Sequence, residues 1–385
     1  MKIVIAPDSF KHSLSALEAA QAMEQGFRYC FPDAEYHLLP LADGGEGTLT
    51  VLQQCLSGEE KSSVVLNAIG EPVTASWLWL PAHRQQAKAT AYIELARAAG
   101  LAQLPLARRQ PLVAHTYGCG QLIQAALEQG AEKIVLGLGG SASTDGGSGM
   151  LQALGAKLLD KQGQPLELGG GALSALASID LSQLHARCSE VEMVLACDVS
   201  NPLLGPRGAS QVFAPQKGAS PQQIIQLESG LRQFAQVCAD IAGLDKSNSP
   251  SFGAAGGSPL GLNMAFNVTI VSGIEMMLAL LNAARVLQGA DLVVTGEGQM
   301  DGQTLQGKAP WGITQLAQQQ GIPVIAIAGA IGADIAPVYQ HISAAFSCVP
   351  RVQPLTATLA QAKHNVMQTA RNVASAIQLG SHFKA

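Results

Sequence analysis

The chain has 385 residues, more than one typical hydrophobic core organises, so two domains are expected. Apolar residues make up 48% and charged residues only 13%, which excludes a disordered protein and favours a well-buried globular enzyme. A net charge of −5 with 23 Lys and Arg leaves no basic footprint for nucleic acid, and no apolar run reaches the ~18–20 residues that span a bilayer.

The first apolar run stops at Pro7-Asp8 and is followed by Ser9-Phe10-Lys11, too early for the core of a signal peptide. The 7 cysteines, at positions 30, 55, 119, 188, 197, 238 and 348, are scattered and show no Cys-x-x-Cys spacing. A cysteine-based zinc site is therefore not expected, and a reducing compartment, the cytoplasm, is.

Residues 2–6 (Lys-Ile-Val-Ile-Ala) are a short β-branched run, the pattern of a strand buried on both faces. Ser15-Ala-Leu-Glu18 reads as a capping box that opens a helix to about Tyr29. Tyr36–Leu41 repeats the strand signal, and a helix is expected after Asp43-Gly-Gly-Glu46 through about Cys55. From Ser62 the rhythm changes: Val64–Ile69 and Thr74–Leu80 flank Gly70-Glu71-Pro72 as an antiparallel hairpin. Ala91–Leu95, Lys133–Leu138 and Glu192–Ala196 are further strands, mixed with helices near 119–129, 147–154 and 222–243. The glycine-dense stretch Gly253–Gly261 is expected to be loop. Beyond it, strands at Asp291–Thr295, Pro323–Ala328 and His341–Phe346 alternate with helices near 273–289, 310–320 and 355–378. This βαβα rhythm matches the first 60 or so residues in style. The economical arrangement has residues 1–62 and 285–385 sharing one parallel sheet, with 63–284 inserted as a second domain.

Several strand runs end in an acid set among small residues. Asp8 follows Ile3–Ala6, Asp43 follows Leu38–Leu41, Asp198 follows Val194–Ala196, and Glu297 and Asp301 follow Leu292–Thr295. In open α/β sheets ligands bind beyond the carboxyl ends of strands, and carboxylates there suit Mg²⁺ with substrate phosphates. Any one Asp could equally cap a helix or a turn. Gly137–Gly149, after the strand at 133–138, has glycines that would let backbone N–H groups approach an anion, with a following helix dipole in support. A phosphate or carboxylate cradle around Ser141 and Asp145 is expected, since Ala142 breaks the dinucleotide fingerprint. Gly302-x-x-x-x-Gly307-Lys308 approaches a P-loop but ends in Ala309, which lacks the hydroxyl a Walker loop gives to Mg²⁺. Lys308 remains a candidate phosphate contact, as do the other turn lysines, Lys11 and Lys217, against the plainer reading of exposed turn residues. These features together point to a Mg²⁺-dependent enzyme for small anions, with phosphoryl transfer favoured, and name no substrate.

In order along the chain, Ala6-Pro-Asp-Ser-Phe-Lys11, Pro40-Leu-Ala-Asp-Gly-Gly-Glu-Gly-Thr48, Gly137–Gly149 and Cys197-Asp-Val-Ser-Asn-Pro-Leu203 are followed by Val212-Phe-Ala-Pro-Gln-Lys-Gly-Ala219. Gly253-Ala-Ala-Gly-Gly257, Thr295–Thr304 and Gly307-Lys-Ala-Pro310 complete the set. This series resembles the bacterial glycerate kinases of the type without a P-loop. The resemblance implies two unlike α/β domains, one flavodoxin-like with a parallel sheet and split in sequence, the other with a mixed sheet inserted into it. It implies ATP-dependent phosphorylation of D-glycerate to 2-phosphoglycerate in an interdomain cleft, in glyoxylate, glucarate or galactarate catabolism. A 3-kinase, a kinase of another small hydroxy acid and a non-catalytic sugar-acid sensor are the alternatives. No nucleic-acid or membrane partner is expected, and a homo-oligomer is left open. Three departures stand out: His12 replaces an expected Gly, Ser143-Thr144 replaces Thr-Asn, and Glu94–Gly100 is a variant motif.

Roles are then assigned by charge. Asp8 or Asp43 would take the proton from the 2-hydroxyl, and Asp198 with Asp301 or Glu297 would hold Mg²⁺. Lys11 and Lys308 would neutralise phosphate or substrate carboxylate, with backbone N–H groups around Ser141 holding a second anion. Ser9, Glu46, Asn201, Asp145 and Lys217 lie inside the matched motifs and are expected to contact substrate or phosphate.

Overall fold

Lys2–Pro7 forms β1, and burial of its last five residues explains the unbroken apolar run. In the computed structural model, which describes residues 1–44, 47–82 and 87–381, the strands continue as β2 (Glu35–Leu38), β3 (Glu59–Leu66), β4 (Pro72–Leu80) and β5 (Thr90–Glu94). Next come β6 (Lys133–Gly137), β7 (Lys157–Leu159), β8 (Ser178–Asp180), β9 (Glu192–Ala196) and β10 (Val268–Val271). The last are β11 (Leu292–Gly296), β12 (Gln299–Met300), β13 (Val324–Ala328), β14 (Ala330–Ile331) and β15 (Ala344–Ser347).

The chain divides into two compact units, one made of Met1–Leu56 with Ser272–Ala385, the other of Ser57–Val271. The limits expected from the sequence were 62 and 285. β3 starts earlier than its apolar residues suggest, because its polar first half pairs with β4 from Glu59 onward. Likewise the helix Gly273–Leu280 packs on Ala309–Gln319, where a Cβ on Gly312 would lie 2.3 Å from Ile274 Cγ1.

The first unit holds a wholly parallel sheet of order β15-β13-β11-β1-β2. Renumbered within the sheet this is 2-1-3-4-5, the flavodoxin-like order, whose switch point lies between β1 and β11. The helix Ala16–Arg28 opens with the expected capping box, Ser15 and Glu18 satisfying each other's backbone N–H groups. Its buried face, including Met23 and Phe27, meets Ile3, Ile5 and Val294 of the sheet and Val366 of the helix Ala362–Gly380.

The second unit holds a mixed sheet of order β10-β9-β6-β5-β4-β3, parallel from β10 to β5 and antiparallel beyond it. Its parallel strands β5, β6 and β9 send their carboxyl ends to one side, and Ile93, Leu136 and Leu195 stand in the core. No helix among the described residues is long and apolar enough to cross a membrane.

Four local expectations change. Gly253–Gly261 is not loop throughout: a short 3-10 turn at Ala254–Gly257 leads into the helix Ser258–Ala265. Its glycines serve packing, since Cβ atoms on Gly256 and Gly261 would meet backbone at 2.2 and 2.6 Å. The helix expected at 273–289 is two helices, Gly273–Leu280 and Ala283–Leu287, broken where Asn282 turns left-handed at φ 51°. That expected at 355–378 is also two, Leu355–Ala360 and Ala362–Gly380. β2 ends at Leu38, although Leu39 and Leu41 still donate N–H to Ile5 and Pro7 carbonyls.

Gly26 tests how tightly the terminal segments of the first unit are joined. Alanine is the better helix former by ~1 kcal/mol. A Cβ at Gly26, however, would sit 2.4 Å from the Met367 carbonyl and 2.6 Å from Ala370 Cβ. Overpacking of this kind costs ~1–3 kcal/mol and should outweigh propensity. Gly26→Ala is expected to lower stability in urea unfolding by about 1–2 kcal/mol; a stabilised variant would contradict the packing.

Candidate active site

Parallel pairing of β1 with β11 sets Pro7 beside Gly296, so the residues that follow each strand emerge together. The Asp8 N–H donates to the Gly296 carbonyl at 2.8 Å, and Thr295 Oγ1 donates to the Ala6 carbonyl at 2.7 Å. Asp8 and Glu297 are thereby carried to the switch point of the sheet. A Cβ on Gly296 would lie 2.0 Å from the Ile327 carbonyl, so this junction accepts only glycine.

Asp43 reaches the same strand end along the continuation of β2. A Cβ on Gly44 would lie 2.6 Å from Gly273 Cα, which shows how closely the Asp43 loop rests on the start of Gly273–Leu280. Asp8, Lys11, Ser15, Asp43, Thr50 and Gln54 line a groove of about 560 Å³, with Ser9 also on its wall. Thr50 and Gln54 share one face of the helix Thr48–Cys55 and went unremarked in the sequence, where nothing but their i,i+4 spacing marks them. Glu46 lies outside the described residues.

Burial, with the fields of Asp43 and Glu297, pushes the Asp8 carboxyl up to about 6 against the N–H of Ser9, which donates to Oδ1 at 2.6 Å, and the charge of Lys11. Such a group can be ionised at neutral pH and still accept a proton readily. Glu297, 6% exposed, is also raised by burial. Thr304 Oγ1 donates to its Oε1 at 2.7 Å and Lys308 Nζ to its Oε2 at 3.3 Å.

Lys308 also stands 3.9 Å from Asp301. Asp301 caps the turn Gly302–Gln306, accepting from the Gln303 N–H at 3.0 Å on Oδ1 and from Gln299 Nε2 at 2.9 Å on Oδ2. Lys308 itself is the N-cap residue of Ala309–Gln319, so the P-loop-like glycines form a capped turn that brings an ammonium back to the strand-end acid.

In the second unit, Ser141, Asp145 and Lys217 come together, but in a different sense from that expected. Asp145 is 0% exposed and accepts from Thr116 N–H and Oγ1 at 2.8 Å each, from Gly149 N–H at 3.2 Å and from Gly147 N–H at 3.3 Å. It fastens the loop to the start of Tyr117–Gln129 and presents nothing to a ligand. Gly146, Gly147 and Gly149 are likewise packing positions, with Cβ contacts of 2.6–2.7 Å. The helix that follows, Ser148–Ala153, has six residues and a buried first turn, so it offers no dipole to an anion. The exposed part of the motif is Gly139–Gly140.

Asp198 is exposed beyond β9, while Asn201 spends its amide on the Arg207 carbonyl at 2.8 Å. Glu94, buried at the end of β5 and paired with Arg97 at 3.0 Å, carries the same strand-end signal as Asp8, although the sequence marks it only as the start of a variant motif and not as a site residue. Among the described residues no three His, Cys, Asp or Glu side chains group closely enough to hold a metal alone.

A parallel 2-1-3-4-5 sheet with acids and lysines at its switch point, in a chain that also carries a mixed-sheet unit inserted in sequence, is the build of an α/β enzyme for small ligands. Residues 3–378 match the model of the glycerate kinase family. The chain is 46% identical to a glycerate kinase of Bacillus subtilis (strain 168), over 98% of each. It is 44% identical to a glycerate 2-kinase of Escherichia coli (strain K12), over 99% of each. A glycerate kinase 2 candidate crystallised from Salmonella typhimurium LT2 superposes with a TM-score of 0.90 at 44% identity, covering 100% of both chains. The chain belongs to the glycerate kinase family and is a phosphotransferase with an alcohol group as acceptor.

His12, where the family resemblance calls for Gly, sits at the tip of the Phe10–Leu14 loop with φ 67°. Left-handed backbone costs a non-glycine residue ~1–2 kcal/mol. His12→Gly should therefore raise stability by about 1 kcal/mol in urea unfolding, and a loss of stability would show the imidazole to be held there by contacts. Asp8→Asn should also stabilise. With its carboxyl raised in the folded state, Asp8 opposes folding above pH 6, so stability falls as pH rises from the usual aspartate range through about 6. The amide removes that penalty, worth on the order of 1–3 kcal/mol at pH 7, and thermal unfolding at pH 4 and pH 7 measures it.

Proposed function

We propose that the chain transfers the γ-phosphoryl group of ATP to the 2-hydroxyl of D-glycerate with Mg²⁺, giving 2-phosphoglycerate, in the catabolism of glyoxylate, glucarate or galactarate in the cytoplasm. The observation that carries this reading is the half-buried Asp8 carboxylate, raised to about 6 at the lip of a groove with Lys11 and Asp43. Phosphoryl transfer needs positioning, charge neutralisation and a base for the hydroxyl proton, and this groove supplies residue types for all three.

In this reading Asp8 accepts the 2-hydroxyl proton as the oxygen attacks phosphorus. Burial keeps the Asp8 carboxyl raised, Asp43 adds to that rise with its negative charge, and Asp43 also orients the acceptor. Lys11 pairs with the carboxylate of the acid, with Ser9 holding Asp8 in place through its N–H. Lys308, aimed by Glu297 and Asp301, meets phosphate oxygens. The crowding of Asp8, Asp43 and Glu297 is an excess of negative charge that a divalent cation would relieve, and Mg²⁺ commonly takes one or two carboxylates with substrate phosphates. Bound there, Mg²⁺ would neutralise charge on the transferred group. Glu297 is its proposed ligand at the strand end, while Asp301, occupied on both oxygens, acts by positioning Lys308.

³¹P NMR of the protein with ATP, Mg²⁺ and D-glycerate should show the 2-phosphoglycerate resonance growing with ADP; the 3-isomer alone, or no turnover, would contradict the reading. Because Asp8 must be ionised to accept a proton, kcat/KM should rise with pH through an acid limb near 6. Asp8→Asn should lower kcat by ~10²–10⁴. Retention of wild-type kcat would remove Asp8 from the mechanism.

A further inference from the structure

Lys217 is the most deeply buried ammonium described in the chain, at 3% exposure, and its surroundings do not fully explain its charge. It ends the short turn Pro215–Lys217, where Gly218 at φ 92° reverses the chain and Arg109 Nη1 fixes the Gln216 carbonyl at 2.7 Å. The side chain runs inward. Nζ donates to Ser141 Oγ at 2.9 Å and to the Ser143 carbonyl, both neutral acceptors. The charged group that faces it is Asp145, whose carboxylate is already engaged by Thr116, Gly147 and Gly149. His115, facing Asp145, is pushed toward its neutral form by burial.

Taking an ammonium out of water costs several kcal/mol unless opposite charge and hydrogen bonds return it. Two neutral oxygens and one shared carboxylate return only part, and burial accordingly pulls Lys217 down to about 8. The segment it holds from beneath leads outward. Gly139 and Gly140 are exposed, and their N–H groups donate to no protein acceptor among the described residues. The Gly140 carbonyl accepts from Leu101 N–H at 2.8 Å and the Ala142 N–H donates to Ala99 at 2.8 Å, so the strip is pinned to the neighbouring chain on both sides. The result is a rigid exposed turn with unused donors and a buried positive charge behind it.

We propose that Lys217 is a positioning residue for a phosphate or carboxylate group bound on the outer face of Gly139–Ser141, acting through Ser141 and Ser143 without touching the ligand. The inference rests on the kinase reading for the identity of its ligands, ATP products or the hydroxy acid, which share this anionic chemistry. It changes the part expected of Lys217 from direct contact to support. A bound anion stabilises the charged ammonium and must therefore raise its proton affinity, so binding and protonation are linked.

Isothermal titration of the wild-type protein with ADP and, separately, with D-glycerate at pH 8.5, in two buffers of different ionisation enthalpy, measures that linkage. One of the two ligands is expected to take up on the order of half a proton on binding. In Lys217→Arg, which stays charged at this pH, uptake should vanish while binding survives. In Lys217→Met the same ligand should bind about tenfold more weakly, a change of ~1.4 kcal/mol. Equal proton counts in wild type and Lys217→Arg for both ligands would overturn the proposal. Should neither variant fold, absence of uptake by the wild type with both ligands would overturn it as well. Turnover of D-glycerate by the wild type is scored separately: turnover without proton uptake rejects only the Lys217 assignment, and uptake without turnover rejects only the kinase reading.

Discussion

The pairing of β1 with β11 is the constraint on which the candidate site depends. Two strands far apart in the sequence lie side by side in register, from Ile3 beside Leu292 to Pro7 beside Gly296. Their parallel direction forces both carboxyl ends to the same side. Asp8 and Glu297 meet because of this, and the hydrogen bonds from Asp8 N–H to Gly296 and from Thr295 Oγ1 to Ala6 hold the junction closed. Helix packing around Gly26 keeps the N-terminal and C-terminal segments of that unit together, so sheet and site share one support.

Charge is organised differently in the two units. In the first, burial raises the Asp8 carboxyl, and the neighbouring acids Asp43 and Glu297 add to that rise. Lys308 answers Glu297 there without cancelling the crowding of Asp8 and Asp43. In the second, Asp145 and Lys217 are among the buried groups, the first saturated with donors and the second left partly uncompensated.

Much of this was legible in the residues. Ser15 and Glu18 announce their capping box, the β-branched runs announce the parallel strands, and the acids that end those runs mark the carboxyl side of the sheet. What could not be read was depth. Asp145 and Asp8 carry the same type of signal, an acid in a turn of small residues, yet one is a sealed internal fastener and the other lines a groove. Burial of a side chain is decided by elements distant in sequence, as Thr116 and Gly149 decide it for Asp145. Glycines misled for a related reason. In Gly253–Gly261 and Gly146–Gly149 they relieve collisions between backbones, which leaves the same composition as a flexible loop or an anion cradle. Lys217 reads as a candidate phosphate contact or an exposed turn lysine, because nothing local reveals that its side chain turns inward to Ser141.

The account stands on converging carboxylates at the ends of β1, β2 and β11, and direct titration of the Asp8 carboxyl carbon by ¹³C NMR tests it most closely. The metal-free protein should show Asp8 titrating at about 6, and Glu297→Gln should lower that value by removing a neighbouring negative charge. An Asp8 that titrates in the ordinary aspartate range and ignores the Glu297 substitution would contradict it.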